Sequence, residues 1–314
     1  MQDIRIATAQ FENKSGDKAY NLSIVESLTE RAAQDGARII CFHELCLTGY
    51  SWLRHLSEKE MVAVAETIPD GESVQKLISI AQKNSIAVLA GILEKEGEKL
   101  YNSFVCVTGD GLIARHRKLH PFISPYLSPG DSFTTFELFG STCGILICYD
   151  NNVIENVRAT ALLGAEILFA PHVTGCTPSP MPGRGYVDPL LWENREQDPV
   201  SLCLEFDGRK NRQWIHRWLP ARAYDNGIYV VYSNPIGMDD DQLKGGGSMI
   251  LDPFGDVLAE CRELDNQVVT SLCTAAKIEQ SGGYRYRKAR RPDLYGAILS
   301  AEHQSETKPV WLGV

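Results

Sequence analysis

The sequence predicts an α/β fold in which two mixed β-sheets lie face to face with helices outside. Three observations predict it. Short apolar runs of strand length alternate with segments whose apolar residues recur at helical spacing. That alternation occurs twice, once in each half of the chain, and each time gives way to hairpins. Of the 314 residues 44% are apolar, enough for a substantial core.

In the first half, "IRIATA" (Ile4 to Ala9) reads as a strand. Leu22, Val25, Leu28 and Ala32 mark a helix over Tyr20 to Asp35 that Gly36 ends. "RIICF" (Arg38 to Phe42) is a short buried strand, and Val74, Leu77, Ile78 and Ala81 mark a second helix. "IAVLAGIL" (Ile86 to Leu93) and "YNSFVCV" (Tyr101 to Val107) are strands, and "TGDG" turns the latter into "LIARHRK". In the second half, "TCGILIC" (Thr142 to Cys148) reads as a central strand. Val153 to Leu163 reads as a helix with Val153, Ile154, Val157, Ala161 and Leu162 on one side, and "EILFAP" is the next strand. Pro220 to Asn226 looks helical, "IYVVYSN" is a strand, "GGGSMILDPFGDVLAE" is a hairpin turning at "DPFGD", and "QVVTSLC" is the last clear strand.

Between the halves, Val173 to Arg217 breaks the rhythm. It is polar, aromatic and rich in Pro and Gly, and a segment this long inside a compact domain is usually functional or disordered. Trp192, Trp214 and Trp218 argue against full disorder, and "DPVSLCLEFDGRKNR" reads as a short helix. The segment is expected to be a lid or interface insertion. No linker divides the chain, so residues 1–280 are expected to form one domain and 281–314 a tail.

Charge and composition exclude several functions. A net charge of -9 argues against nucleic acid or an anionic membrane as main partner, since both require a basic face. No apolar stretch approaches the ~20 residues of a membrane span, and "MQDIRIATAQ" has neither the basic nor the apolar region of a signal peptide. A cytoplasmic protein is expected. The nine cysteines are scattered, with no CxxC pair and no matching His cluster for zinc. Most sit in apolar runs, where a free thiol packs as a small hydrophobe. "GGG" (Gly245 to Gly247) lacks the GK[ST] ending of a phosphate loop and precedes a strand. Neither a metal nor a cofactor is expected.

Three residues stand just past strands. They are Glu44 in "RIICFHELCLTGY", Lys118 in "LIARHRKLH" and Cys148 in "GILICYD". Strand ends opening into loops are where α/β proteins gather reactive groups. Singly, each has an ordinary explanation: a solvated glutamate, a surface lysine, a core cysteine. Together with "SPGDSF" (Ser128 to Phe133), "GAEILFAP" (Gly164 to Pro171) and "LPARAYDNGIYVVYSNPIG" (Leu219 to Gly237), their order and spacing resemble the nitrilase, or carbon–nitrogen hydrolase, superfamily over nearly the whole chain.

The resemblance implies a four-layer αββα sandwich, 1–280 being the hydrolase domain, and a homodimer or larger homo-oligomer. In such an assembly the tail, ending near Trp311 and Leu312, would pack on a partner chain. It implies that Cys148 is a nucleophile forming a thioester, that Glu44 is the general base, and that Lys118 stabilises the oxyanion with the backbone N–H of Tyr149. Losing one such donor typically costs ~3–4 kcal/mol of transition-state stabilisation. A helix N-terminus at the cysteine, with Asn151 or Asn152 as its cap, together with the nearby ammonium, is expected to favour thiolate.

One position departs from the family. A second glutamate usually lies about six residues before the proline of "PGD", where this chain has Ile123. Glu193 or Glu196 of the long segment could supply that carboxylate, His120 could substitute, or the chemistry could proceed without it. His172, Asn234 and Glu193 are candidate substrate contacts, against structural roles for the first two. Arg184, Arg209 and Arg212 could bind a carboxylate, a solvated loop charge being the ordinary reading. Tyr50 is expected to pack near Glu44.

The expected reaction is hydrolysis of a non-peptide C–N bond in a small amide or N-carbamoyl compound, releasing ammonia or an amine. Tyr149-Asp150 resembles the amide-cleaving branches, whereas nitrile-cleaving members typically carry Trp-Glu there. The alternatives are a nitrilase, an acyl transferase, and a non-catalytic binding protein that has lost turnover.

Overall fold

The computed structural model describes residues 1–177, 183–300 and 303. The strands run β1 Ile4–Gln10, β2 Ile39–Cys41, β3 Ala87–Glu96, β4 Lys99–Thr108, β5 Gly111–Arg117, β6 Thr134–Leu138, β7 Ser141–Ile145, β8 Ile167–Pro171, β9 Tyr229–Ser233, β10 Ile236–Asp239, β11 Gln242–Gly245, β12 Met249–Leu251, β13 Val257–Glu260 and β14 Gln267–Cys273. The helices are α1 Lys18–Gln34, α2 Glu58–Val64, α3 Glu72–Asn84, α4 Ile154–Leu162, α5 Pro189–Glu193, α6 Pro199–Asp207, α7 Arg212–Ile215, α8 Leu219–Tyr224, α9 Ala275–Gln280, α10 Gly283–Lys288 and α11 Pro292–Leu299.

Among the described residues these strands make two six-stranded sheets, ordered β14-β1-β2-β3-β4-β5 and β13-β12-β9-β8-β7-β6, and the hairpin β10–β11. Each sheet has a parallel trio at its heart, β1–β2–β3 and β7–β8–β9, with antiparallel strands outside it. A parallel pair needs a crossover, and α1 and α3 in one half and α4 and α8 in the other supply it. This is the repeated alternation read from the sequence.

Three apolar clusters separate the layers. Val25, Leu28 and Ala32 of α1 and Leu77 and Ala81 of α3 pack on Ile40, Val88 and Val105. Ile6, Ile39 and Leu89 of the first sheet meet Cys143, Ile145, Phe169 and Val231 of the second. Val157 and Ala161 of α4 and Leu219 and Ala223 of α8 cover Leu168, Val230 and Leu251. The result is an αββα sandwich whose strands alternate side chains between two apolar interfaces. Fully burying a Leu, Ile or Val contributes roughly 1.5–3 kcal/mol, so these interfaces dominate stability.

Several expectations change. The strand in "TCGILIC" ends at Ile145, and Leu146 to Cys148 form an elbow. β7 is next to the sheet's edge strand, not central. On α4, Asn156, Val157, Thr160 and Ala161 are the buried residues while Ile154 and Leu162 are exposed, because the Asn156 side chain turns inward to bond the Asp150 carbonyl at 3.0 Å. The described part of Val173 to Arg217 contains three short helices, α5, α6 and α7. Asp188 and Asp198 cap α5 and α6, each with Pro at the first helical position. Its apolar residues Cys176, Val187, Trp192, Leu202 and Phe206 pack on Ile236 and Leu243 of the β10–β11 hairpin. β6, β10, β11 and α2 were not legible in the apolar pattern. In the tail, α11 exposes Leu294, Ile298 and Leu299, while Trp311 and Leu312 lie outside the described residues.

Candidate active site

Glu44 follows β2. The chain after β2 stays against β3, with Phe42 N–H donating to the Leu89 carbonyl at 2.9 Å, and then turns at Leu45, whose φ is +47°. Gly91 of β3 permits the turn: a Cβ there would lie 2.1 Å from the Leu45 nitrogen. Lys118 follows β5. Its carbonyl accepts from Gly130 N–H at 2.8 Å, and a Cβ on Gly130 would come within 2.2 Å of the Arg117 carbonyl oxygen, which explains the glycine of "SPGD". Cys148 sits at φ +50°, a conformation a non-glycine residue rarely holds, at the start of a four-residue 3₁₀ turn. Neighbours lock that elbow. Asn151 Nδ2 donates to the carbonyls of Leu146 at 2.8 Å and Cys148 at 3.2 Å, and Arg222 Nε donates to the Asn151 carbonyl at 2.8 Å. Asn151 thus braces the elbow and does not cap α4, whose N-cap is Val153.

The three strand ends converge. Glu44, Lys118 and Cys148 are all buried, and Lys118 Nζ donates to Glu44 Oε1 at 2.6 Å. Asn102 Nδ2, from β4, donates to the same oxygen at 2.6 Å. Glu44 Oε2 is buried and has no hydrogen-bond partner among the described residues. The Cys148 thiol is close enough to this carboxylate and to the Lys118 ammonium to feel both charges. Tyr50 packs beside them as expected. Its ring and that of Phe122 face the Lys118 ammonium, 5.4 and 4.8 Å from ring centroid to Nζ.

Electrostatics correct one expectation. The Cys148 thiol is pushed up to about 12, first by burial and then by the Glu44 charge, with Lys118 opposing. The resting cysteine is therefore a thiol, not a thiolate, and the short 3₁₀ turn does not reverse this. Burial works to lower Lys118, but the carboxylates of Glu44 and Asp150 outweigh it and hold the ammonium above its ordinary value.

Tyr149 N–H is among the first amides of the 3₁₀ turn, which lack an acceptor within it. The Tyr149 ring is 41% exposed and stands edge-on to His120 and Phe122. His172 is fully buried, stacked between Trp218 and Tyr232, with Nε2 3.2 Å from Asn151 Nδ2. Burial lowers it to about 3, so it is neutral. Asn234 spends its amide on backbone: Oδ1 accepts from Thr174 N–H, and Nδ2 donates to the carbonyls of Thr174 and Gly246. These bonds give both residues structural work at the mouth of the site.

Glu193 and Glu196 are exposed on and just after α5, and among the described residues neither bonds to Lys118. Ile123 is buried in an apolar cluster with Leu45, Tyr50 and Val173. The flank of Lys118 is thus aromatic and aliphatic, with Glu44 its one bonded carboxylate among the described residues. Of the three arginines, Arg212 is paired with Glu260 at 2.8 and 2.9 Å, and Arg184 stacks on Trp214 at 3.7 Å. Sequence reasoning missed Asn102, although an asparagine inside the apolar run "YNSFVCV" is the signal that marks it. The one metal-compatible cluster among the described residues, His55, Asp240 and Asp241, is exposed and shares no member with this site.

Comparison with known proteins bears on the family and the fold. The sequence profile described as carbon-nitrogen hydrolase matches residues 5–282. An (R)-stereoselective amidase of Pseudomonas sp is 31% identical over 314 residues, 99% of each chain. An omega-amidase of Mus musculus is 29% identical over 94% of this chain and 98% of its own. In three dimensions, a mutant of the amidase from Nesterenkonia sp. AN1 matches with a TM-score of 0.69 at 22% identity, over 94% of this chain and 97% of its own. Another mutant of that amidase carries the acetamide moiety of fluoroacetamide covalently at its active-site cysteine.

Proposed function

The chain belongs to the carbon–nitrogen hydrolase family, and on that premise we propose that it hydrolyses a small amide or N-carbamoyl compound through a thioester on Cys148. One observation carries the reading: Lys118 and Asn102 hold one oxygen of Glu44 and leave the other without a partner among the described residues, in a buried site shared with the Cys148 thiol.

In the acylation step the Cys148 sulfur attacks the carbonyl carbon while its proton passes to Glu44 Oε2. The carbonyl oxygen takes up the negative charge, and the Lys118 ammonium and Tyr149 N–H receive it. The C–N bond then breaks, and Glu44 returns the proton to the departing nitrogen. Water repeats the sequence: its oxygen bonds to the thioester carbon, one proton goes to Glu44, the C–S bond breaks and the sulfur takes that proton back. Lys118 suits its part because the surrounding negative charge keeps it protonated. Glu44 serves both steps, with Ile123 where a second carboxylate would stand.

His172 and Asn234 support the mouth, and the helices of Val173 to Arg217 shape the substrate space. Residues 1–280 act as one hydrolase domain. The exposed Ile154 and Leu163 near α4 and Ile298 and Leu299 on α11 suit burial against a second copy, so a homodimer is expected by light scattering; a clean monomer would contradict it. Nine unpaired cysteines suit a reducing compartment such as the cytoplasm.

The test is a panel of small amides, carbamoyl compounds and nitriles read by ammonia release, with intact-mass spectrometry of the protein. Amides or carbamoyl compounds should be cleaved with a transient adduct that Cys148→Ala abolishes. Release from nitriles alone would sink the amide assignment.

A further inference from the structure

Asp150 is fully buried, yet it is not part of the chemistry just described. Its Oδ2 accepts from Ile147 N–H at 3.2 Å and Leu119 N–H at 3.1 Å. Its Oδ1 accepts from His120 N–H at 2.9 Å and lies 2.9 Å from His120 Nδ1. Ile147 immediately precedes Cys148, while Leu119 and His120 immediately follow Lys118. One carboxylate therefore bridges the two flanks of the site. Among the described residues, every hydrogen bond joining the segment after Lys118 to the cysteine elbow ends on Asp150.

The topology makes that bridge matter. Lys118 leaves β5, the edge of the first sheet, and Cys148 follows β7 of the second. No strand pairing links β5 to β7, so the separation of ammonium and sulfur is left to the loops. A carboxylate suits the joint because every group facing it donates. An asparagine in its place would turn an NH2 against N–H donors and leave some of them buried without an acceptor.

We propose that Asp150 is a positioning residue that fixes Lys118 against Cys148, so that the ammonium meets the oxyanion as it forms. This rests on the thioester reading, in which those two residues act on one carbonyl. The charge of Asp150 is secure. Burial opposes it, but the neighbouring His116 and His120 hold its carboxyl far below the usual range.

The test compares two reactions of the same thiol in the full-length protein. Acylation by p-nitrophenyl acetate builds an oxyanion and is read as the burst of p-nitrophenolate. Alkylation by chloroacetamide builds none and is read by intact mass. Asp150→Asn should slow the burst by about tenfold or more while alkylation stays within about threefold. Should Asp150→Asn fail to fold, His120→Ala removes only the Nδ1 arm and should show the same pattern, reduced to about threefold on the burst. Asp150→Glu, which keeps the acceptors, should recover part of the rate. A purely structural role would slow both reactions together, and that result, or no change in either, overturns the proposal. A wild-type protein with neither burst nor adduct would instead remove the nucleophile reading, and this inference with it.

Discussion

At the scale of single residues, the site works by withholding one partner. Glu44 is buried with two donors on Oε1 and, among the described residues, none on Oε2, so Oε2 is the oxygen left to take a proton. Asn102 fixes that division. Its Nδ2 must face the carboxylate, which only accepts, and this leaves Oδ1 as an orphan acceptor. Asn102→Leu should therefore lower kcat/KM by about tenfold to a hundredfold, while thermal stability is unchanged or improved, because the substitution also removes a buried unpaired oxygen. Equal losses of activity and stability would contradict this. The thiol makes a second prediction. With Cys148 pushed up to about 12, its thiolate stays a minor species, so alkylation of the free enzyme should keep rising by about tenfold per pH unit from about pH 7 to about pH 10, whereas an ordinary thiol levels off above its pKa of ~8.5. A plateau above about pH 8.5 would show that the resting cysteine ionises normally.

At the scale of elements, the groups proposed to act, Glu44, Lys118 and Cys148, meet from three strand ends because three backbone devices let the chains approach. Gly91 admits the Glu44 turn, Gly130 admits the segment beside Lys118, and the positive φ of Cys148 turns the elbow. Gly91→Ala places a methyl 2.1 Å from the Leu45 nitrogen. It should displace Glu44 and abolish most activity, with a loss of about 1–3 kcal/mol of stability measurable by urea denaturation. An active, fully stable variant would contradict the close approach. Much of this level was legible in the sequence. "IRIATA", "RIICF" and "EILFAP" are apolar on both faces and announced buried strands, and Glu44, Lys118 and Cys148 each stood just past such a run. The elbow was not legible, because Leu146 and Ile147 are as apolar as the strand they leave. α6 lies within the short helix read from "DPVSLCLEFDGRKNR", whereas α5 and α7, of five and four residues, are too short to show a helical period, although Asp-Pro at α5 is a helix-start signal. Asn102 and Asp150 could not be placed, since one lies inside a strand and the other's partners come from the opposite half of the chain.

For the whole molecule, the two repeated halves explain why the site sits where it does. Each half brings its strand ends to the same end of a sandwich, so a glutamate and a lysine from one sheet face a cysteine from the other. The same dry interior carries a stability consequence. Eight cysteines have thiols raised by burial: Cys41, Cys46, Cys106, Cys143, Cys148, Cys176, Cys261 and Cys273. Each binds its proton more tightly folded than unfolded. The stability this contributes is complete below the unfolded pKa of ~8.5 and is lost as pH rises above it. The melting temperature should fall steadily from about pH 8.5 upward under reducing conditions, and a flat profile to about pH 10 would show that the thiols are not sequestered. The central claim, that Cys148 is the nucleophile of an amide hydrolase, is tested most directly by intact-mass spectrometry of the protein mixed with a small amide and quenched in the steady state. The account predicts a mass increase equal to the acyl group, mapped to Cys148 and absent in Cys148→Ala. Turnover that persists in Cys148→Ala, or an adduct on any other residue, would contradict it.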